Sequence, residues 1–152
     1  MYSKILSITG LLLAAAAVPS FAQDANRDAV ATVTDARTIV RKLSARTEEF
    51  KHDFDDAIEH SLVDGSKLED RSKKRADDLH DSSKKLQDVF DDKKDKNDPK
   101  VRDQVDKVLA AAADVNHVMS EMRFTDKVQR EWELLRSDLN GLAAVYSLTP
   151  LR

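Results

Sequence analysis

The sequence predicts an all-α protein: an up-down-up-down four-helix bundle with a long first helix, preceded by a cleaved signal peptide. Three observations predict it. Glycine and proline are scarce, three of each in 152 residues, and after residue 22 they stand only at Gly65, Pro99, Gly141 and Pro150. Apolar side chains recur in alternating steps of three and four, the repeat of one helix face. The connections between these periodic stretches are short, and short connections make consecutive helices run antiparallel.

Residues 1–22, MYSKILSITGLLLAAAAVPSFA, are set apart from the fold. Lys4 and the amino terminus form a positive n-region, Ile5 to Val18 an apolar h-region, and Ser20-Phe21-Ala22 a small-x-small cleavage site, so cleavage is expected before Gln23. A membrane-spanning helix needs about 20 apolar residues. This run is shorter, is interrupted by Ser7, Thr9 and Gly10, and closes at Pro19. No stable membrane anchor is expected after cleavage, and the expected location is periplasmic or secreted. Residues 23–152 then form one four-helix bundle domain.

Helix 1 is expected over 25–63, with Val33, Ala36, Val40, Leu43, Thr47, Phe50, Phe54, Ala57 and Ser61 on its seam and Ile58 beside it. Asp64-Gly65 signals a turn, and Ser66 stands three residues before Glu69, the spacing of a reciprocal helix cap. Helix 2 is expected over 67–96. Its sequence repeats at eleven residues: Leu68, Leu79 and Phe90; Asp70, Asp81 and Asp92; Ser72 and Ser83. Eleven residues are close to three turns, which would keep the apolar three in line. The aspartates are expected to pair with Lys74, Lys85 and Lys96, four residues on, as a solvated charged face. Asp98 caps and Pro99 begins helix 3, 99–122, with Val101, Val105, Val108, Ala112, Val115, Met119 and Met122 on its seam. Thr125 caps helix 4, 126–147, whose seam is Val128, Trp132, Leu135, Leu139, Leu142 and Tyr146. Narrow stripes of this kind suit near-parallel packing at a crossing angle of about 20°. At about 1.5 Å per residue helix 1 is nearly 60 Å long and the last two about 35 Å, so the first should overhang, fray or meet a partner.

Charge and composition exclude several functions. The chain carries 25 basic and 28 acidic residues, a net charge of −3, and loss of Lys4 would leave −4. That balance offers nucleic acid no long-range attraction. With no cysteine, thiol catalysis, thiolate metal sites and covalent haem attachment are excluded. His52, Asp56 and His60 have the i, i+4, i+8 spacing of metal ligands on one helix face, but that face is opposite Phe50, Phe54 and Ile58 and points to solvent. His117 opposes its seam and His80 flanks one, so no histidine is placed for haem inside the bundle. Asp95-Lys96-Asn97-Asp98 lacks the glycine and closing glutamate of a calcium loop. No nucleophile, phosphate-loop or zinc-protease motif occurs. No catalytic, cofactor-binding or metal-binding residue is expected, nor an enzyme.

The stretches FDDAIEHSLVDGSKLEDR, VLAAAADVNHVM and VQREWELLRSDLNGLAAVYSL resemble an uncharacterised family of exported bacterial helical-bundle proteins, with DGSxxED and WxxLRxDLxxLAxxY motifs over roughly residues 50–148. Val63 departs from the pattern where a leucine is usual. The resemblance implies the bundle and export and supplies no catalytic residue.

Two function classes follow. The first is a non-catalytic structural or protein-interaction component of the cell envelope, acting on an unidentified protein partner or by self-association. The second is a periplasmic small-molecule or client-binding, chaperone-like bundle. The second rests on the small residues of helix 2, Ser72, Ala76, Ser82 and Ser83, which either permit close helix approach or leave an apolar cleft. That cleft would be lined by Leu43, Phe50, Phe54, Leu79, Met119 and Trp132. Trp132 itself is expected to be a core anchor, its indole N–H bonded to a carbonyl or carboxylate near a helix end.

Overall fold

The computed structural model describes residues 21–61, 63–93 and 95–152, with side chains described from Ala36 onward except at 62 and 94. The expected signal segment therefore lies, but for its last two residues, outside the described residues, and so does the side chain of Val33. Among the described residues there are four helices, α1 (Phe21–Glu59), α2 (Lys67–Lys93), α3 (Pro99–Glu121) and α4 (Asp126–Val145). Among the described residues there is no strand. The helix packing is consistent with a bundle: α2 meets α1 and α3 over the greatest extent, α1 meets α4, and α3 meets α4 least.

The helix starts follow the expected chemistry. Asp98 accepts from Lys100 N–H at 2.8 Å, and Pro99 occupies the first turn of α3. Thr125 caps α4 by accepting from Val128 N–H. At α2, Ser66 Oγ accepts from the N–H groups of Leu68 and Glu69, both at 3.2 Å. The reciprocal bond is displaced by one residue: the Glu69 carboxylate accepts from Gly65 N–H. Gly65 has φ 71°, which an L side chain rarely adopts, so glycine suits the turn.

Three expectations about the seams are corrected. In α1 the core takes Ile58, fully buried, while Ala57 is only half-buried. A step of four after Phe54 keeps the larger side chain facing inward, and the helix ends at Glu59, where Ser61 Oγ donates to the Ile58 carbonyl at 2.7 Å. In α2 Leu68 is exposed, and the seam is Glu69, Ser72, Ala76, Leu79, Ser83, Leu86 and Phe90. These form two rows of seven-residue spacing, so of the eleven-residue repeat Ser72, Leu79, Ser83 and Phe90 stay in the core and only Leu68 leaves it. In α3 Val118 is buried and Met119 and Met122 are half-buried, because the seam steps by three after Val115.

The expected pairing along α2 also differs. Lys74 pairs forward with Asp78 at 2.8 Å, Lys73 bridges Glu69 and Glu59 at 2.7 Å each, and Asp92 pairs with Lys93 at 2.6 Å. Lys73 is thus drawn across to α1, which costs the repeat its register but joins two helices. The core holds Leu43, Phe50, Phe54, Leu79, Leu86, Leu135, Leu139 and Leu142, all at 1% exposure or less. Burying each side chain of this size stabilises by roughly 1.5–3 kcal/mol before entropy is counted.

Beyond α4, Ser147 N–H donates to Ala144 O at 3.1 Å and Leu148 N–H to Ala143 O at 2.8 Å, a Schellman closure. The segment after it folds back. Leu151 N–H donates to Asn140 Oδ1 at 2.7 Å, and Asn116 Nδ2 donates to Arg152 O at 2.9 Å.

Candidate functional site

The surface features gather on the outward side of α1 between residues 45 and 61, because α1 has α2 on one flank and α4 on the other. Helical phase does this: Leu43, Thr47, Phe50, Phe54 and Ile58 face inward, leaving the acidic residues between them for the flanks and the outside.

On the α2 flank a groove is lined by Glu48, Lys51, His52, Asp55, Asp56, Glu59 and His80. Lys51 is clamped at 3.1 Å by Asp55 and at 3.0 Å by Asp77, and these two carboxylates hold its ammonium above the usual lysine range. Asp55 Oδ1 and His80 Nδ1 are out of contact with solvent and have no hydrogen-bond partner. The groove therefore presents carboxylates with one tethered cation, a surface that favours cationic over anionic neighbours.

On the α4 flank Asp53, Lys127, Glu131 and Glu49 come together. Lys127 Nζ is bonded to Asp53 Oδ2 and stands 3.9 Å from Glu131 Oε1. The neighbouring Arg46 donates to Asp138 and to the Leu134 carbonyl, which fixes α1 against α4 one stage further along. The Lys127 hydrogen bond, above all, holds the Asp53 carboxyl below the ordinary range; burial, then Asp53, push Glu131 up to about 7.

The residues of the expected apolar cleft are placed as follows. Leu43, Phe50, Phe54 and Leu79 are buried in the core, and Trp132 is 3% exposed. Phe50 packs on Phe54 and on Trp132, each at a centroid distance of 5.4 Å, and Phe124 stacks on Phe54 at 5.0 Å. Met119 is half-buried, and with Trp132 it borders a shallow depression shared with Asn116, Gln129, Arg136 and Arg152. The six residues are thus divided between the packed interior and one polar rim.

Trp132 Nε1 donates to the Asn116 side-chain carbonyl at 3.2 Å. The acceptor is thus a side-chain carbonyl, five residues before the end of α3. Asn116 suits this role because its carbonyl takes the indole while its amide holds Arg152 O.

The candidate ligand trio on α1 faces outward, with side-chain exposures of 84% for His52, 69% for Asp56 and 77% for His60. His60 Nδ1 donates instead to the Asp56 carbonyl at 2.8 Å, and that bond raises its pKa. Among the described residues no group of three or more His, Asp or Glu side chains is arranged to hold a metal ion. No described helix is long and apolar enough to cross a membrane.

Sequence reading missed the flank clusters. Asp53 and Glu131 each directly precede a core aromatic, Phe54 and Trp132. That position flanks the seam where two helices meet, so the signal was in the phase and not in any motif. Comparison of the chain with protein-family models, with curated proteins and with solved structures finds no match in any of the three.

Proposed function

We propose that this chain is an exported, non-catalytic helical-bundle protein that serves the cell envelope as a structural or protein-interaction component. The observation that carries this reading is the division of the molecule into one filled apolar core and a charged exterior. Apart from Leu68 and Leu134, which are exposed, the large apolar side chains described are taken up in packing, and what faces outward along α1 is a carboxylate-lined groove with tethered lysine. Such a surface suits a basic face of a partner protein or a second copy, held by complementary charge.

The finer architecture, an up-down-up-down bundle, is part of the same proposal. It is supported by the order of contacts between α1 and α4: Ile39 with Gly141, Arg46 with Asp138, and Asp53 with Lys127. Export rests on the tripartite pattern of residues 1–22 and on the resemblance to exported bacterial helical proteins. The alternative role, a client-binding or small-molecule bundle, asks for an opening at the six apolar residues; Met119 and Trp132 border a surface depression, while Leu43, Phe50, Phe54 and Leu79 are buried.

Chemical cross-linking of intact producing cells with a lysine-reactive reagent, followed by fractionation, tests the reading. A processed chain beginning at Gln23, recovered with a reproducible adduct outside the cytoplasm, is the expected result. An unprocessed chain found free in the cytoplasm would overturn it. Saturable binding of an apolar dye to the folded chain would favour the client-binding role.

A further inference from the structure

Around Lys127, one stage away from the Arg46–Asp138 pair, the α1–α4 interface holds more carboxylates than that one cation can neutralise. Asp53 on α1 and Glu131 on α4 have side-chain exposures of only 20% and 26%, and their carboxyl groups converge on one ammonium, that of Lys127. Glu49, one turn before Asp53 on α1, adds a third negative charge. Lys127 is committed to Asp53, with Glu131 Oε1 at 3.9 Å. The other Glu131 oxygen, Oε2, is out of contact with solvent and has no hydrogen-bond partner.

Two ionised carboxylates in that position repel each other, and neither carries a hydrogen to place between them. A buried acceptor without a donor adds its own desolvation cost. One proton answers both problems, because a protonated Glu131 can donate to Asp53 and leave the pair with one negative charge, which Lys127 meets.

We infer that Asp53 and Glu131 share one proton across the α1–α4 interface, and that this proton is a latch which joins the two helices when present and drives them apart when lost. The pair is independent of the proposed role and of export, since it depends only on residues 49–131.

The surrounding charges set the direction of the switch. From α1, Glu49 raises Glu131 further, and His52 Nδ1 lies 3.4 Å from Asp53 Oδ1. Asp56, His60 and the connection residue Arg123 border the same depression as Asp53 and Lys127. Where α3 meets α4 beside Trp132, the α3 side is lined by Asn116, Met119 and Ser120, none of which titrates. Burial first, and then Asp53, raise Glu131 from 4.5 to about 7. Its folded value thus exceeds its unfolded one, so the folded chain holds an extra proton between those limits and stability falls as pH rises through them. Asp53, held low by Lys127, has the opposite sign: its contribution is present at and above neutral pH and is lost as pH falls through the acid range. The latch is therefore tightest in mildly acidic surroundings.

Urea unfolding of the folded chain between pH 5 and 8, with a carboxyl-detected NMR titration of Glu131, tests the inference. The expected results are a Glu131 titration near neutrality and an unfolding constant that rises up to about tenfold per pH unit between 5 and 7. Glu131→Gln keeps a donor for Asp53, so it should flatten this slope and leave the chain more stable than the parent at pH 8. Asp53→Asn should return Glu131 toward the ordinary glutamate range. Titration of Glu131 in that range in the parent chain, or a Glu131→Gln chain weakened equally at pH 5 and pH 8, would overturn the latch. If Glu131→Gln does not fold, the titration of the parent chain decides alone.

Discussion

Helices α2 and α4 turn seams of opposite character to the same core. The α4 seam is bulky, with Val128, Trp132, Leu135, Leu139, Leu142 and Tyr146, whereas four of the seven seam positions of α2 are Glu69, Ser72, Ala76 and Ser83. Yet α2 is the helix most extensively packed on its neighbours, and the α3–α4 contact is the slightest. Helix separation follows the size of the side chains at the crossing. Small side chains along α2 let α1 and α3 come close, while Trp132 and the α4 leucines hold α3 at arm's length. A thin seam read in sequence is thus a sign of close approach as much as of a cleft, and Gln104, donating to the Ser82 carbonyl at 3.1 Å, shows how near α3 comes.

The largest test of this contrast is at the bulky side. Trp132→Ala should cost about 3–5 kcal/mol, as for other buried aromatics, read as a lower urea midpoint. It removes the ring packed on Phe50 and leaves the Asn116 carbonyl without its indole donor. An unchanged midpoint would mean that α4 is not held by its large side chains at all.

The converse substitution enlarges the thin side. Ala76 is 2% exposed, and Ala76→Leu should destabilise by about 1–3 kcal/mol through overpacking. A gain in stability instead would reveal unfilled space beside α2, and with it the cleft that the sequence left open.

Much of this contrast was legible beforehand, and the exceptions have physical causes. Helix number, the caps at Ser66, Asp98 and Thr125, and the α4 seam all follow from local signals, because a cap or a leucine stripe states its own phase. The α2 seam did not, because serine, alanine and glutamate look alike at buried and exposed positions. Leu68, Leu79 and Phe90 suggested a line that only the last two keep, since the helix must also turn Glu69 inward to meet Gly65 and Lys73. The flank clusters were hidden for a different reason. Asp53 and Glu131 are 78 positions apart and ordinary in isolation, so their meeting depends on which helices are neighbours and at what level. The same holds for Asn116, whose role appears only once Trp132 and Arg152 are brought to it.

A smaller effect sharpens the account of α2. Ser83 is wholly buried and its hydroxyl has no partner. Ser83→Ala keeps the close approach while removing an unsatisfied polar group, so a gain of about 1 kcal/mol is expected. A loss would show that the hydroxyl is bonded in solution, for which hydrogen exchange of neighbouring α2 amides is the check.

The smallest difference lies at the ends of the two helices. The turn into α2 has Gly65 at φ 71°, and the closure of α4 has Ser147 at φ 55°. The same left-handed geometry is met at one end by glycine and at the other by a residue that strains to adopt it. Ser147→Gly should therefore stabilise by about 0.5–1 kcal/mol, the relief of left-handed strain less the greater entropy of the unfolded glycine. A Cβ at Gly65 would meet nothing within 4 Å, so Gly65→Ala isolates the backbone term and should destabilise by about 1 kcal/mol. Opposite signs of similar size in thermal unfolding would establish that backbone geometry governs both ends. Equal signs would mean instead that the Ser147 side chain makes a contact worth more than its strain.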